Sequence, residues 1–399
     1  MRSIDIRSGI AAALVAAAVG ARADIWSDMW ERDVTLREGV TLRARRIETP
    51  RKMAAYIARI DLATPGLGFV SAERDKEWGR PVPASEDGSR IETRRETTVD
   101  FMRRSRKAGR NMVLAVNTTP WTPWPAPKGN VHADLVGWNV TDGREIAPED
   151  PRREGAVLVV WRDGRAEIAR SVPPPMRKDV AFAVSGFGII MENGHRTHKG
   201  KLGDSDKGWT QCNPEGTHPR TAVGLTADRR TLVILVVDGR QEEYSVGADI
   251  PDLCRLFREE GVTDAINMDG GGSTSLVVYD PKKKSPKMLN HHARGKRRAN
   301  GANLGICFDR PRHDADRMPS RREWHHDRTP EGHRPAEVPH GKEAHPGSAP
   351  AVPGAPGVRP PAPPAPGARP SVPASPAVPG GRPPSPVGPS GARGEHKGR

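Results

Sequence analysis

The residues best equipped for chemistry in this 399-residue chain lie in one short stretch, AINMDGGGSTSLVV, from Ala265 to Val278. Asp269 ends an apolar run, Gly270 to Gly272 follow, and small hydroxyls begin at Ser273. A phosphate-binding P-loop needs a lysine before the hydroxyl, and none stands before Ser273. A dinucleotide fingerprint must open a helix, whereas STSLVV reads as a strand. An EF-hand loop would put Ala265 and Leu276 at carboxylate positions. A nucleophile elbow would need glycine where Ser275 stands. What survives is a strand-end acid beside a floor without side chains, where a ligand can approach the backbone and meet N–H donors. Ser273 remains an exposed hydroxyl candidate. The competing interpretation is a tight turn with an incidental aspartate.

Other strand ends carry comparable groups. Asp238, Gly239 and Arg240 follow the run TLVILVV, His218 and Arg220 precede TAVG, and Asn117 ends VLAV. An arginine such as Arg220 can grip a phosphate with two parallel N–H donors. Asp238 and Asp269 could form the acid and base of glycoside chemistry; Arg220 and Asp238 could equally be a structural ion pair. No metal constellation is legible, since His291-His292 and His325-His326 are adjacent pairs in polar segments. No cofactor is expected. Cys212, Cys254 and Cys307 match no metal spacing, and no disulfide pair is assigned.

These residues need a scaffold, and the hydrophobic patterning supplies one. MAAYIARIDLATPGLGFV (53–70) reads as one or two strands broken at Pro65-Gly66, TVDFMRRSRKA (98–108) as a helix, and MVLAVN (112–117) as a strand that opens into a Pro/Trp loop. Strands are expected at 156–161 and, interrupted by Gly186 and Gly188, over 179–194. Thr221–Thr226 and 231–240 form a hairpin whose second strand is fully buried. DIPDLCRLFREEG (249–261) is an amphipathic helix stopped at Gly261, and strands follow at 263–269, after the glycines, and at 303–309. Strands outnumber helices, which appear singly. The expected class is α+β: a mixed β-sheet domain with a few flanking helices.

Composition divides the chain into three parts. Residues 1–23 carry Arg2 and Arg7, the apolar run GIAAALVAAAVG and Ala21-Arg22-Ala23, the pattern of an export signal cut before Asp24. That run is too short to span a bilayer, and no transmembrane helix is expected in the mature chain. Residues 24–312 are the expected folded domain. Residues 313–399 are basic and then Pro/Ala/Gly-rich: 19 of the 40 prolines fall after residue 330, in a stretch with no Phe, Trp or Tyr, so a packed core there is excluded and disorder is expected. The net charge of +14 sits largely in segments such as KKKSPK (282–287) and RGKRR (294–298). No nucleic-acid-binding signature accompanies it, so nucleic acid is not expected as the partner.

Taken in order, the segments VN (116–117), VSGFGIIMENG (184–194), HPRTAVGLT (218–226), VVDGRQEEYSVGADIPDLCRLFREEG (236–261), AINMDGGGSTSLVV (265–278) and NLGICF (303–308) resemble the phosphodiester glycosidase family. The resemblance covers most of the chain between about Met53 and Phe308. It implies hydrolysis between the anomeric carbon of a sugar and a phosphate oxygen. Residue by residue it points to Asp269, Asp238 and Arg220, expected to be catalytic, and to Asn117, Thr221, Arg240, Gly270, Gly271, Gly272 and Ser273, expected to bind substrate; Ser185, in the matching segment 184–194, is expected to bind substrate beside them. Asp269 would be acid/base or nucleophile, Arg220 would hold the phosphate, and Asn117 with the glycine backbone would hold sugar hydroxyls. The chain departs from the family after Asn117, where TTPWTPWPAPKG stands in place of glycines and an aromatic pair. Trp121 and Trp124 could stack on a sugar there. The expected function is that of an exported hydrolase, periplasmic or secreted, acting on a glycosyl phosphodiester or a related envelope or exopolysaccharide glycan. The alternatives are a non-catalytic glycan-binding module of the same fold, and a basic protein that binds anionic polymers through 282–298.

Overall fold

Strands dominate the backbone because short β-branched runs alternate with tight turns. The structure, a computed structural model, describes residues 25–30, 32–149, 156–197, 213–293, 295 and 297–308. All of these fall in the first of two compact units, Met1–Glu331; the second, Gly332–Arg399, lies outside the described residues. So do the expected signal segment, the expected tail, Cys212 and the His325-His326 pair.

The central element is an eight-stranded antiparallel sheet in the order Val34–Arg37, Val40–Ile47, Met53–Asp61, Thr231–Val237, Arg220–Thr226, Val262–Asn267, Gly188–Glu192, His195–Arg196. The hairpin of Arg220–Thr226 with Thr231–Val237 pairs Arg220 with Val237, and Ala222 also stands opposite Asn267. This register brings Arg220 and the residues that follow Val237 and Asn267 to one edge of the sheet.

Both faces of that sheet are apolar, as the unbroken run at Thr231–Val237 requires. One face packs Ala55, Ala222, Leu235 and Ala265 against Leu253, Leu256 and Phe257 of the helix Ile250–Glu259. Burying each of those larger side chains contributes roughly 1.5–3 kcal/mol. Asp249 caps this helix and Asp252 returns the bond, a capping box, while Gly261 lets the chain leave at φ +74°. The other face, with Tyr56, Val223, Ile234 and Ile266, joins Leu114, Val116, Leu276 and Ile306 of a five-stranded sheet and Leu158, Phe182 and Val184 of another.

The first of those sheets runs Ser285–Met288, Leu276–Asp280, Met112–Asn117, Asn303–Cys307, Gly68–Val70, and its outer face is covered by the helix Thr98–Lys107 through Val99, Phe101 and Met102. The second runs Arg144–Ala147, Asn139–Thr141, Val180–Ser185, Val157–Trp161, Ala166–Ala169. A small three-stranded sheet joins Thr93–Arg94, His132–Leu135 and Trp121–Thr122.

The expected α+β class holds, and the run 179–194 shows why its glycine matters. Val180–Ser185 and Gly188–Glu192 belong to different sheets, and the chain crosses between them at Gly186, where a Cβ would stand 2.4 Å from Ile266 and 2.5 Å from the Asn267 carbonyl. Cys254 and Cys307 are buried. No helix among the described residues is long and apolar enough to cross a membrane.

Candidate active site

At the shared edge of the two large sheets, Asn117 ends Met112–Asn117 and makes three bonds at once. Its Nδ2 donates to the Asp269 carbonyl at 2.6 Å, and its Oδ1 accepts from Thr221 Oγ1 at 2.7 Å and from the Ser275 amide at 3.0 Å. The Asp269 amide donates to the Thr118 carbonyl at 2.7 Å. These bonds hold the backbone of Asp269 between the sheets and leave its half-buried carboxyl beside a cleft of about 550 Å³.

Asp269, Gly270, Gly271, Gly272, Arg220, Arg240, Arg298, His218, Trp121 and Trp124 all contribute to the lining of that cleft, with Phe187 and Asn213 among the remainder. Three arginines and the Asp269 carboxyl thus line one cleft, and of the three Arg298 acts on that carboxyl by its charge. Burial pushes the Asp269 carboxyl up to about 6, opposed by its bond with Ser273, the charge of Arg298 and the Gly270 amide, which donates to Oδ1 at 2.8 Å. His218 is moved the other way, below the usual imidazole range, by burial and by the charges of Arg220 and Arg240. Its imidazole is therefore favoured in the neutral form.

Each arginine reaches the cleft by a different route. Arg220 is buried, and its guanidinium donates to the carbonyls of Ala248 at 3.1 Å, Asn213 at 2.7 Å and Gly216 at 2.9 Å, so its charge is fixed in place. Arg240 adopts the left-handed region at φ +62°, a conformation that non-glycine residues hold only where surrounding structure enforces it. The Arg240 amide donates to the Val246 carbonyl at 2.9 Å, and the flanking Gly239 and Gly247 lie against the His218-Pro219 backbone so closely that a Cβ on either would come within 2.7 Å of it. Arg298 donates to Ser273 Oγ at 3.3 Å and lies 4.5 Å over the ring of Trp124.

The glycines prove to serve the arginines. The Gly270 amide is bonded to Asp269 and the Gly271 amide to the Pro219 carbonyl at 2.8 Å, so the expected nest of outward N–H donors is not what the turn presents. A Cβ at Gly271 would stand 3.0 Å from Arg240 Nη2, and one at Gly272 only 2.4 Å from Arg298 Nη2. The floor is bare so that two guanidiniums can cross it.

Several expected positions sit elsewhere. Asp238 does not line the cleft and does not face Asp269 across it. Its carboxylate, pushed up by burial, accepts from Tyr56 Oη at 3.3 Å, Tyr244 Oη at 3.4 Å, Asn290 Nδ2 at 3.0 Å and the His291 amide at 2.9 Å. Nor does it pair with Arg220 through any of these bonds. Asn117 and Thr221 are buried and bonded to each other, so neither offers its side chain to a sugar. Ser273, expected to be exposed, is fully buried, because the short 3₁₀ turn Gly271–Ser273 rolls its hydroxyl inward. Ser185 donates to the Trp138 carbonyl at 2.8 Å, away from the lining. Arg298 and Phe187 were not singled out by the sequence; only Arg298's membership of a basic run was visible there.

Residues 111–307 match the family model described as phosphodiester glycosidase. The SPbeta prophage-derived uncharacterized protein YomE of Bacillus subtilis (strain 168) is 28% identical over 232 residues, 56% of this chain and 31% of that protein. The chain therefore spans about a third of the length of that curated relative. Among solved structures, the zebrafish N-acetylglucosamine-1-phosphodiester alpha-N-acetylglucosaminidase catalytic domain, auto-inhibited by its pro-peptide, is similar with a TM-score of 0.47 and 16% identity over 70% of this chain and 87% of that one. A hypothetical protein from Synechocystis gives a TM-score of 0.45 and 10% identity over 69% and 63%. The matched residues, 111–307, take in Asp269, the glycine floor and Arg298, and over this span the chain resembles the phosphodiester glycosidase family.

Proposed function

We propose that the chain hydrolyses glycosyl phosphodiesters. Water adds to the anomeric carbon, the bond from that carbon to the phosphate oxygen breaks, and a free sugar and a phosphomonoester leave. The observation that carries this reading is one carboxyl held near pKa 6 among three guanidiniums in a single cleft. Charge developing on the departing phosphate is met by Arg220, Arg240 and Arg298, so the leaving oxygen needs no proton from a second acid. One carboxyl then suffices, which fits the position of Asp238 off the lining. Asp269 acts from its ionised form, as the base that takes the proton of the attacking water or as the nucleophile that water later displaces. Trp124, exposed at the cleft with Arg298 over its ring, is the aromatic surface within reach of a sugar, while Trp121 is buried beneath Arg95.

Asn117, Thr221 and Ser273 serve by positioning the turn that carries Asp269, and Asp238 holds Asn290, whose Nδ2 also donates to the Thr274 carbonyl at 3.2 Å. Export with cleavage before Asp24, a domain over 24–312 and an envelope or exopolysaccharide glycan as substrate belong to the same proposal and rest on the sequence.

The test is turnover of a panel of chromogenic sugar-1-phosphodiesters by the full chain. Asp269→Asn should lower kcat by about 10²–10⁴-fold while the fold, followed by circular dichroism, is kept. An inert wild type across the panel would sink the hydrolase reading, and binding of the same compounds without turnover would establish the glycan-binding module instead.

A further inference from the structure

We infer that Asp75, Glu77 and His132 form a divalent-metal site of the zinc class, separate from the cleft, which clips the long connection 71–92 onto the three-stranded sheet. One ligand atom from each of the three lies within 4.8 Å of the others. His132 Nδ1 stands 3.6 Å from Asp75 Oδ2, and Nε2 stands 3.8 Å from Glu77 Oε2. Neither contact is close enough to be a hydrogen bond. His132 Nδ1 is shielded from solvent and has no hydrogen-bond partner, and the Asp75 side chain is only 6% exposed. A small cation held by the unpartnered Nδ1 and by Asp75 Oδ2 would be completed by Glu77 swinging across from its place near Nε2.

The backbone explains how the three meet. Asp75 Oδ1 accepts from the Glu77 amide at 2.8 Å, which turns both carboxyls to one side. The Asp75 amide donates to the Glu92 carbonyl, Arg74 bridges Thr93, and Arg94 stands opposite His132 in the small sheet. Between Val70 and Thr93 the chain has no strand or helix of its own, only isolated bridges and bonds such as Trp78 Nε1 to the Ile146 carbonyl at 2.8 Å, and long connections of this kind are commonly functional. One imidazole and two carboxylates suit Zn²⁺ or Mn²⁺, whereas Ca²⁺ and Mg²⁺ prefer oxygen throughout. Tetrahedral ligands on bonds of ~2.0–2.1 Å stand about 3.3 Å apart, so the metal would draw the set inward. Glu77, with its side chain 37% exposed, has the freedom to close. None of the three residues lines the cleft, so metal binding and turnover are separable.

The full chain, stripped with EDTA, is titrated with Zn²⁺ by calorimetry and melted with and without the metal. One zinc equivalent should bind and raise Tm, and Mg²⁺ should not replace it. His132→Asn and Glu77→Gln should each remove that equivalent or weaken it by about 100-fold, at or beyond the ~10–100-fold typical of losing an outer-shell partner. Comparison of variants sets aside zinc bound at other histidines or thiols. Should His132→Asn fail to fold, Glu77→Gln decides, because it alters a surface-reaching carboxyl only. The inference is overturned if the wild type binds no zinc at micromolar concentration, or if Glu77→Gln, folded by circular dichroism, gives the wild-type isotherm. It is equally overturned if zinc leaves Tm unchanged while His132→Asn lowers it, which would mark a plain ion-pair triad.

Discussion

At the scale of single residues, the chemistry concentrates in the contrast between Asp269 and its surroundings. Its carboxyl is raised to about 6 by burial even though Arg298 and Ser273 pull it down. If the ionised form does the work, kcat/KM should rise with pH through about 6 and level off above it; a fall over that range would assign Asp269 the role of acid instead. The same shift has a sign for stability. The folded state holds the proton more tightly than the unfolded chain, so this group's contribution is fully present below the unfolded value of about 3.9 and is lost as pH rises through about 6. Gly272 gives a second residue-scale prediction. Its added methyl in Gly272→Ala would meet the end of a flexible side chain, Arg298, rather than backbone. The melting temperature should therefore change little, while KM for a phosphodiester rises several-fold as the guanidinium is pushed aside. An unchanged KM would show that Arg298 does not contact substrate.

At the scale of elements, the site depends on stitching between two sheets that share a core. Asn117→Ala would leave the Asp269 carbonyl, the Thr221 hydroxyl and the Ser275 amide without their partner. Each buried group left unpaired costs about 1–3 kcal/mol, so a loss of roughly 3 kcal/mol or more is expected, read as a shift in denaturant midpoint. Activity should fall with it, since the turn carrying Asp269 is no longer fixed. The helix Ile250–Glu259 offers a gentler comparison. Asp249→Ala removes its cap and the pairing of Arg51 with that carboxylate, and should destabilise by about 0.5–2 kcal/mol without altering the pH profile. The patterning of this helix is legible because 3.6-residue periodicity and an N-cap are local properties. The crossing at Gly186 was only half legible: the glycine marked a break, but which sheet each side joined depended on Ile266 and Asn267, about 80 positions further on.

At the scale of the whole molecule, the net charge of +14 and the three guanidiniums at one cleft act in the same direction on an anionic ligand. Association with a phosphodiester should therefore weaken as salt is raised, because the screening length falls to about 10 Å at 0.1 M. Measured as kcat/KM against ionic strength, the slope should be steep for a phosphodiester and flat for a neutral sugar analogue; equal slopes would place the guanidiniums' action elsewhere than on the phosphate.

The sequence by itself determined the periodicities, hence the α+β class and most strands, and it marked Asp269 and the glycine floor through their order along the chain. Its composition also set the proline-rich stretch after residue 330 apart from the rest. Tertiary structure alone decided which of the strand-end groups share a cleft. Asp238 and Asn117 sit at strand ends just as Asp269 does, yet their polar atoms are bonded within the protein, and burial of that kind is a property of long-range packing. Arg298 reached the site from a basic run, and Asp75, Glu77 and His132 came together from positions up to 57 residues apart. Spacing along a chain reports only neighbours on one element; proximity across sheets is set by register and core packing, which no local pattern encodes.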